Sequence, residues 1–322
     1  MVQAKYRLVA SGQGQESIPR ALQPMVRSMS RSKIALIGAK GQLGSDIVQY
    51  FSELSDRYEL IALTRADIDI TNAEQVRQVL TSQRFDVVVN SAAYIMVDDC
   101  EQEFENAFKV NAIGALNVAR ATSEANPDAL SVYIGTDYVF KGDQASPYTE
   151  SDQPYPISIY GTSKLTGEYL VQQTVKRSLI LRISSVFGKA GASGKGGNFV
   201  ETIIKKAKAG EPLKVVNDIT MSPTYTYDVA SLLDALLQSD VTGVIHGANA
   251  GSCSWHEFAV KALAFAGIDH PIAAIPADAF PTKARRPMNS ALISDRLSHF
   301  TDFQMRPWQS ALENYLIEKA YI

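Results

Sequence analysis

Apolar and polar positions alternate along the chain in two kinds of segment. Five nearly continuous apolar runs are typical of strands buried on both faces: KIALIG, YELIALT, FDVVVNSAAY, ALSVYIGTDYVF and SLILRISSVFG. Between them lie segments with apolar residues at helical spacing, including QLGSDIVQYFSEL, TNAEQVRQVLTS with Thr71 or Asn72 as its N-cap, and EQEFENAFKVNAIGALNVARATSEA as one long helix. Apolar strands that alternate with helices predict a parallel sheet covered on both faces, a doubly wound α/β domain over residues 33–187.

The pattern loosens after residue 187. The glycine-rich segment GKAGASGKGGN predicts a mobile loop over a cleft, and helices are expected at 198–209, around SWHEFAVKALAFAGI and near 307–319. Residues 188–322 are therefore expected to form a smaller, mainly substrate-binding α/β part over the carboxyl edge of the sheet, where such sheets bind ligands. Residues 1–32 lack periodicity and are predicted to be a disordered extension, or to precede a true start at Met29.

Composition excludes several classes of function. Of the 322 residues, 46% are hydrophobic and 20% charged, as in ordinary globular proteins, and the net charge of −3 gives no electrostatic case for nucleic acid or a membrane surface as partner. No apolar run approaches the roughly 18 residues of a membrane-spanning helix. Cys100 and Cys253 are predicted to be buried thiols in a reducing cytoplasm, and the four histidines show no metal-ligand spacing, so no metal is expected.

The segment IGAKGQLG joins the first predicted strand to the first predicted helix. It places Gly38, Gly41 and Gly44 at three-residue intervals. Glycine serves in such a turn because the backbone must bend sharply and approach a pyrophosphate at the positive end of a helix. The motif predicts a dinucleotide-binding site.

Arg65 follows the second strand, about where a carboxylate would accept the ribose hydroxyl of NAD. A planar guanidinium can instead hold a 2′-phosphate, which favours NADPH, whereas an Arg65 that stacks on adenine would leave NADH usable. Further nucleotide contacts are expected after the second and third strands, at Asp69, Ile70, Ala92, Ala93 and Tyr94.

Tyr160 lies four residues before Lys164 in a predicted helix, a spacing that puts both side chains on one face, roughly 5–6 Å apart at Cβ. Alone, the pair indicates a solvated helix face. Together with the glycine motif and with Thr136 at the end of the fourth strand, it predicts ketone reduction. Tyr160 would give the proton, Lys164 would lower its pKa and bind ribose, and the Thr136 hydroxyl would hold the carbonyl oxygen.

Over about residues 33–320 the chain resembles the extended short-chain dehydrogenases/reductases, specifically the dTDP-4-dehydrorhamnose reductase family. The matching segments are GAKGQLG, DVVVNSAAYIMVDDCE, VNAIGALNVA, GTDYVFKGDQASPYTESDQPYPISIYGTSKLTGE, GGNFVETIIKKAKAGEPLKVVNDITMSPTY, SWHEFA and ARRPMNSAL.

The resemblance implies a Rossmann domain with Tyr160 as proton donor and Lys164 as its partner on the cofactor ribose. It places these residues at the nucleotide: Gly41, Gln42, Leu43, Ala92, Ala93 and Tyr94. It places Thr136 and Asp137 at the sugar, and Asn198 and Arg286 on the nucleotide-sugar side.

The chain also departs from the family. It reads ISSVFG where these reductases commonly read TSWVYG, so Ser185 stands where a substrate-contacting tryptophan is expected. A serine enlarges the pocket and removes a stacking surface, which leaves the identity of the sugar open. Some relatives bind magnesium between subunits through acids; Asp46, Glu211 and Glu313 lie in comparable places but are expected to be solvated charges.

Three functions are compatible with these residues. The first is NADPH-dependent reduction of a nucleotide-linked 4-keto-6-deoxy sugar, dTDP-4-dehydro-L-rhamnose to dTDP-L-rhamnose, by a cytoplasmic enzyme for which a homodimer is left open. The second is a nucleotide-sugar epimerase or 4,6-dehydratase; Tyr138 counts against the dehydratase, which needs a carboxylate there. The third is a non-catalytic regulatory subunit that resembles the β subunit of methionine adenosyltransferase.

Overall fold

The computed structural model describes residues 31–191 and 197–322. The predicted extension over residues 1–32 lies outside this part of the chain except for its last two residues, and so does the middle of the predicted glycine-rich loop. Ser32 already belongs to the first strand, one residue before the predicted start of the domain.

The described residues form a layered α/β structure. The strands are β1 Ser32–Ile37, β2 Tyr58–Leu63, β3 Val87–Asn90, β4 Leu130–Thr136, β5 Arg177–Ile183, β6 Val186–Phe187, β7 Leu213–Val216, β8 Thr220–Met221, β9 Thr224–Tyr225, β10 Gly243–His246, β11 Cys253–Ser254 and β12 Ile272–Ile275. The α-helices are α1 Gln42–Ser52, α2 Ala73–Thr81, α3 Val97–Cys100, α4 Phe104–Phe108, α5 Ala115–Ala125, α6 Ile159–Thr174, α7 Phe199–Lys208, α8 Thr226–Leu237, α9 Trp255–Phe265 and α10 Trp308–Glu318.

A six-stranded parallel sheet in the order β10-β5-β4-β3-β1-β2 forms the centre of the fold, which confirms the doubly wound prediction. Successive side chains of a strand point to opposite faces. Ile34 and Leu36 accordingly pack with helices α1 and α8, while Ala35 and Ile37 pack with α2 and α5. Each face of the sheet is therefore covered by its own apolar layer.

The sheet has a topological switch point between β1 and β3. From β1 the chain leads to β2 on one side and then crosses to β3 on the other. Loops that diverge at such a point leave a crevice at the carboxyl ends of the two strands, where dinucleotides bind. The glycine motif follows β1 and lies at this crevice.

The helix predicted over residues 101–125 is interrupted, so that prediction was wrong in detail. Helices α4 and α5 are joined by a π-helical segment, Lys109–Gly114, and are preceded by the short helix α3. A Cβ on Gly114 would lie 2.8 Å from the Ile70 side chain, so the glycine lets the segment pack closely there. π-helical turns often mark functional sites, and this one presents Asn111.

The carboxyl-terminal part has a second apolar core between α7, α9 and α10, flanked by small strand pairs. The division at residue 187 stays a prediction, but the chain crosses it: β10 pairs with β5 in the large sheet and α8 packs on α1. Cys100 and Cys253 are both buried free thiols, as predicted. Within the described ranges, no helix is long and apolar enough to cross a membrane.

An ion pair is buried beneath the helix that carries Tyr160. Arg182 of β5 donates from Nη2 to Glu168 of α6 at 2.7 Å, and the two side chains are 4% and 1% exposed. Removing one partner of a buried pair leaves an uncompensated charge, whereas replacing both is often tolerated.

We expect Arg182→Met to destabilise the protein by about 3–5 kcal/mol, because Glu168 would keep a buried charge without its partner. The double variant Glu168→Gln/Arg182→Met should recover most of this loss. Urea unfolding measures the free energy of unfolding of both variants. The control is Arg177→Met, which breaks the exposed pair with Asp240 and should change the midpoint little. Equal effects of the two arginine substitutions would contradict the assigned role of the buried pair.

Candidate functional site

The glycine turn after β1 is packed too tightly for side chains. Gly38 has a φ of +86°, and a Cβ there would lie 2.9 Å from the backbone nitrogen of Ala92. A Cβ on Gly44 would lie 2.1 Å from the carbonyl oxygen of Gly38. The motif therefore brings the amino terminus of α1 against the loop that follows β3.

The start of α1 has the donor set that a pyrophosphate requires. Gly41 is its N-cap, no side chain caps the helix, and its first turn carries no acidic residue. Leu43 is buried in the core, and the Gln42 amide donates to the Val186 carbonyl at 3.4 Å. Because both side chains contact protein, these residues would bind a ligand through their backbone nitrogens. Among the described residues, the buried Asn90 Nδ2 has no hydrogen-bond partner at the end of β3. These features fit a dinucleotide.

Two exposed cations lie in the turns that follow β1 and β2: Lys40 in the glycine turn and Arg65 after β2. The Asp67 carboxylate accepts hydrogen bonds from the hydroxyl and backbone nitrogen of Thr64, which lower its pKa, and the charge of Lys40 lowers it further. Sequence reasoning missed Lys40, although its place inside the motif could have identified it.

Asp69 and Ile70, predicted beside the adenine, hold the turn before α2. The Asp69 carboxylate accepts from the backbone nitrogen and hydroxyl of Thr71. The Ile70 side chain is buried in the core. Both stay predictions as nucleotide contacts.

The loop after β3, which contains Ala92, Ala93 and Tyr94, is fixed by Asn111. The Asn111 Oδ1 accepts from the Tyr94 backbone nitrogen at 2.8 Å, and its Nδ2 donates to the Tyr94 carbonyl and to Ser163 Oγ. Asn111 thus ties the predicted ribose-binding loop to α6. The sequence signal for it was a polar residue at a buried helix position, in the segment VNAIG.

Tyr160 and Lys164 lie one turn apart near the amino terminus of α6, which Ser158 caps by accepting from the Gly161 nitrogen. Lys164 is buried, lies 4.0 Å over the Tyr133 ring, and donates from Nζ to the Ile134 carbonyl at 2.7 Å. Both residues reach the carboxyl end of β4, as predicted.

Burial sets the charge states of this pair. It raises the pKa of Tyr160 above its ordinary value of 10, against a hydrogen bond with Thr136 that lowers it. It lowers the pKa of Lys164 to about 7, against the Glu168 carboxylate that raises it. The expectation that Lys164 makes the phenol more acidic stays a prediction, since removal from water is the largest cause of the raised pKa of Tyr160. Tyr160 stays protonated at neutral pH, as a proton donor must be.

Thr136 and Asp137 end β4 and face each other. The Thr136 hydroxyl donates to Asp137 Oδ1 at 3.1 Å and accepts from the Tyr138 nitrogen at 3.2 Å, and Ser184 Oγ donates to Asp137 Oδ2 at 2.9 Å. Asp137 is only 2% exposed. Its oxygens therefore face protein hydroxyls, and the contact predicted between Asp137 and the sugar has no support from this geometry.

Arg286 lies beside the tyrosines of the site. It is paired with Asp98 in a bidentate contact of 2.8 and 3.1 Å, and its hydrogen bond lowers the pKa of Asp98 to about 2. Burial raises the pKa of Tyr138, the charge of Arg286 lowers it, and the Tyr138 ring packs edge-to-face on Tyr160 at 5.7 Å. The site thus holds a cation close to the proton donor.

Asn198 and Ser185 have local structural roles. Asn198 caps α7 by accepting from the Glu201 nitrogen and donates its amide hydrogens to the Gly188 carbonyl and the Tyr315 hydroxyl, so its predicted substrate contact stays a prediction. Ser185 forms the turn between β5 and β6 with a φ of +43°, a backbone conformation that residues other than glycine rarely adopt. Its predicted role in the substrate pocket is likewise untested.

The acidic residues compared with a magnesium site do not meet in the described part of the chain, where no group of three or more His, Cys, Asp or Glu side chains is placed to hold a metal ion. Asp46 is 1% exposed and accepts from the Thr226 hydroxyl, so the expectation of a solvated charge was wrong for this residue.

Comparisons with known proteins find relatives that cover most of the chain. Residues 32–321 match the family model described as the RmlD substrate binding domain. A spore coat polysaccharide biosynthesis protein, SpsK of Bacillus subtilis, is 38% identical over 90% of this chain and 98% of its own length. The dTDP-4-dehydrorhamnose reductase of Escherichia coli is 34% identical over 88% of this chain and 97% of its own.

Solved structures show the same relation. The dTDP-4-dehydrorhamnose reductase of Bacillus anthracis, determined in complex with NADP, is 37% identical with a TM-score of 0.84, covering 90% of this chain and 100% of that one. A UDP-glucose 4-epimerase of Thermotoga maritima, 17% identical with a TM-score of 0.76 over 89% of this chain and 99% of that one, shares the fold. The chain therefore belongs to the RmlD substrate binding domain family, the family of the dTDP-4-dehydrorhamnose reductases.

Proposed function

We propose that this protein is an NADPH-dependent oxidoreductase that reduces the 4-keto group of dTDP-4-dehydro-L-rhamnose. One observation carries the proposal. Tyr160, whose phenol burial keeps protonated, lies at the same edge of the sheet as a glycine turn that fits a pyrophosphate. The family relation supports the substrate, and the relative determined with NADP supports the cofactor.

The residues of the crevice can hold the cofactor. The backbone nitrogens at the start of α1 would bind the pyrophosphate, Lys40 and Arg65 the 2′-phosphate, and Lys164 the ribose beside the nicotinamide. When bound, NADPH supplies a hydride. The contacts predicted for Asp69, Ile70, Ala92, Ala93 and Tyr94 belong to the same proposal.

Tyr160 supplies the proton. As negative charge develops on the carbonyl oxygen of the sugar, the phenol gives up its proton to that oxygen. The Lys164 ammonium, one helical turn away, favours the phenolate that remains. Arg286 would bind the negatively charged diphosphate of the nucleotide sugar and give up part of its contact with Asp98.

We expect Tyr160→Phe to lower kcat by roughly 10²–10⁴-fold, because the ring keeps its packing but loses the proton. The loss of NADPH absorbance with dTDP-4-dehydro-L-rhamnose measures this. Tyr169→Phe, an exposed tyrosine of the same helix, is the matched control. A Tyr160→Phe variant with the activity of the control would exclude the phenol as proton donor. Cofactor binding without any turnover by the unmodified protein would favour the regulatory-subunit alternative.

Arg65→Ala should weaken NADPH binding by about 10- to 100-fold, the loss of one charged hydrogen bond, and leave NADH binding unchanged. Lys40→Ala should act in the same direction. Titration of protein fluorescence with each cofactor measures the two affinities. Arg84→Ala, an exposed arginine before β3 at the opposite edge of the sheet, should change neither. An equal loss for both cofactors would instead assign Arg65 to the adenine.

A cytoplasmic location is part of the proposal and is supported by the two buried free thiols, which suit a reducing compartment. A homodimer is also proposed. Its support is a set of exposed apolar side chains on neighbouring helical elements: Phe104 on α4, Ile113 in the π-helical segment and Tyr169 on α6, at 53%, 48% and 45% exposure.

Phe104→Lys should convert this dimer into a monomer, because it places a charge in an apolar contact. Light scattering after size exclusion measures the mass. Phe280→Lys, at a similarly exposed phenylalanine of another surface, should keep the dimer. A monomeric unmodified protein would refute the homodimer.

A further inference from the structure

A buried aromatic ring lies against the ammonium of Lys164. The Lys164 Nζ lies over the face of the Tyr133 ring, 4.0 Å from its centroid. Tyr133 belongs to β4 and is 1% exposed, and Lys164 of α6 is 2% exposed. The face of an aromatic ring carries negative charge and attracts a cation, and this attraction is stronger where water is excluded. The two side chains therefore form a buried cation–π contact.

Contacts with other groups fix the Tyr133 ring. Its hydroxyl donates to the Asn111 carbonyl of the π-helical segment at 2.8 Å. The ring packs with apolar side chains of α5 and α6. A Cβ on Gly167 would lie 2.6 Å from the Tyr133 hydroxyl oxygen, so the glycine gives the ring room beneath α6. The orientation of the ring is therefore set by groups other than Lys164.

The contact offsets the water that Lys164 loses on burial. An ammonium has three N–H donors and no acceptor, and its burial without partners costs free energy. The Lys164 Nζ donates to the Ile134 carbonyl at 2.7 Å, and the Tyr133 ring is a second group of β4 in contact with it. In the proposed complex a remaining N–H would go to a ribose hydroxyl of the cofactor.

We propose that Tyr133 is a positioning residue for Lys164: the face of its ring keeps the ammonium at the carboxyl end of β4 and stabilises its charged form. This inference rests on the function proposed above. There the Lys164 ammonium favours the phenolate that remains when Tyr160 has given up its proton, and a neutral amine would not do so.

Burial and the neighbouring charges act on the same lysine. Burial lowers the pKa of Lys164 to about 7, and the Glu168 carboxylate raises it. Burial raises the pKa of the Tyr133 phenol, so the ring stays neutral. The other titratable or charged groups of α6 and of the elements packed on it are Tyr160, Tyr169, Arg177, Arg182, Asp137, Tyr138, Asp98, Asp99, Cys100, Glu105, Lys109, Arg120 and Glu124. Burial raises the pKa of Asp137 to about 6, in the same range, so the charge of Lys164 has to be measured on Lys164 itself.

Carbon NMR of protein labelled at the lysine Cε measures the titration of Lys164 without substrate, with the resonance assigned from Lys164→Met. Tyr133→Phe keeps the face of the ring and should leave the midpoint nearly unchanged. The same substitution with a fluorinated ring keeps the shape and removes the negative charge of the face. It should lower the midpoint by about one pH unit, the shift that corresponds to a desolvated cation–π contact.

The matched control is fluorination of Phe85, which is also buried but packs with Val76 and Leu80. It should leave the Lys164 midpoint in place.

The pH dependence of turnover with NADPH and dTDP-4-dehydro-L-rhamnose tests the consequence for the reaction. The charged form of Lys164 is the competent one, so kcat should fall as the pH rises through about 7. With the fluorinated ring at Tyr133 the fall should lie about one pH unit lower, because the ammonium has lost part of its stabilisation. A merely structural role of Tyr133 would instead lower kcat alike at every pH.

Three results would overturn the proposal. The first is a fluorinated variant with the same Lys164 midpoint as Tyr133→Phe. The second is a Tyr133→Phe midpoint as low as that of its fluorinated form, which would assign the effect to the hydroxyl. The third is a fall in kcat that stays in place while the NMR midpoint moves. If the unmodified protein does not oxidise NADPH with this sugar, the function proposed above fails, and the NMR titration still decides whether Tyr133 stabilises the Lys164 ammonium.

Discussion

The close approach of helix α6 to the turn after β4 and to the π-helical segment is the constraint on which the site depends. A Cβ on Gly161 would lie 2.2 Å from the Tyr138 carbonyl oxygen, and one on Gly167 would lie 2.3 Å from that of Asn111. Only a helix without side chains at these two contacts can come near enough for Lys164 Nζ to reach the Ile134 carbonyl and for the Tyr160 ring to pack on Tyr138. The glycines of α6 therefore permit the short distances at which its tyrosine and lysine act.

Burial determines how the charged groups at this contact behave. Lys164 is close to Glu168, which is paired in turn with Arg182, so three charges of alternating sign lie beneath the carboxyl end of the sheet. Burial of the charged Lys164 side chain costs free energy, and the Glu168 carboxylate, one turn further along α6, offsets part of that cost. The same exclusion of water keeps the phenol protonated. Acid and base strengths are therefore set by depth in the fold as much as by neighbours.

The sequence was sufficient to predict the strands, the glycine turn and the Tyr160–Lys164 pair, because these depend on periodicity and on spacing within one segment. It was insufficient to predict the contacts between segments that are distant in sequence. The π-helical segment that contains Asn111 packs through Gly114 on Ile70, and the pairing of Arg286 with Asp98 joins residues 188 positions apart. The raised pKa of Tyr160 likewise depends on burial that no local pattern encodes. Ser184, a polar residue directly after an apolar strand, was an unused signal for the hydrogen bonds that surround Asp137.

The placement of strand β10 has a consequence for how the chain is made. β10 covers the outer edge of β5 in a parallel register that runs from Gly243↔Leu179 to His246↔Arg182. Until Gly243–His246 leaves the ribosome, β5 is an unpaired edge with an apolar run at residues 179–181, and unpaired strand edges can pair with other chains. The nascent protein therefore passes through an interval in which more than fifty residues must be synthesised before that edge is closed, and a chaperone that shields it would act in that interval.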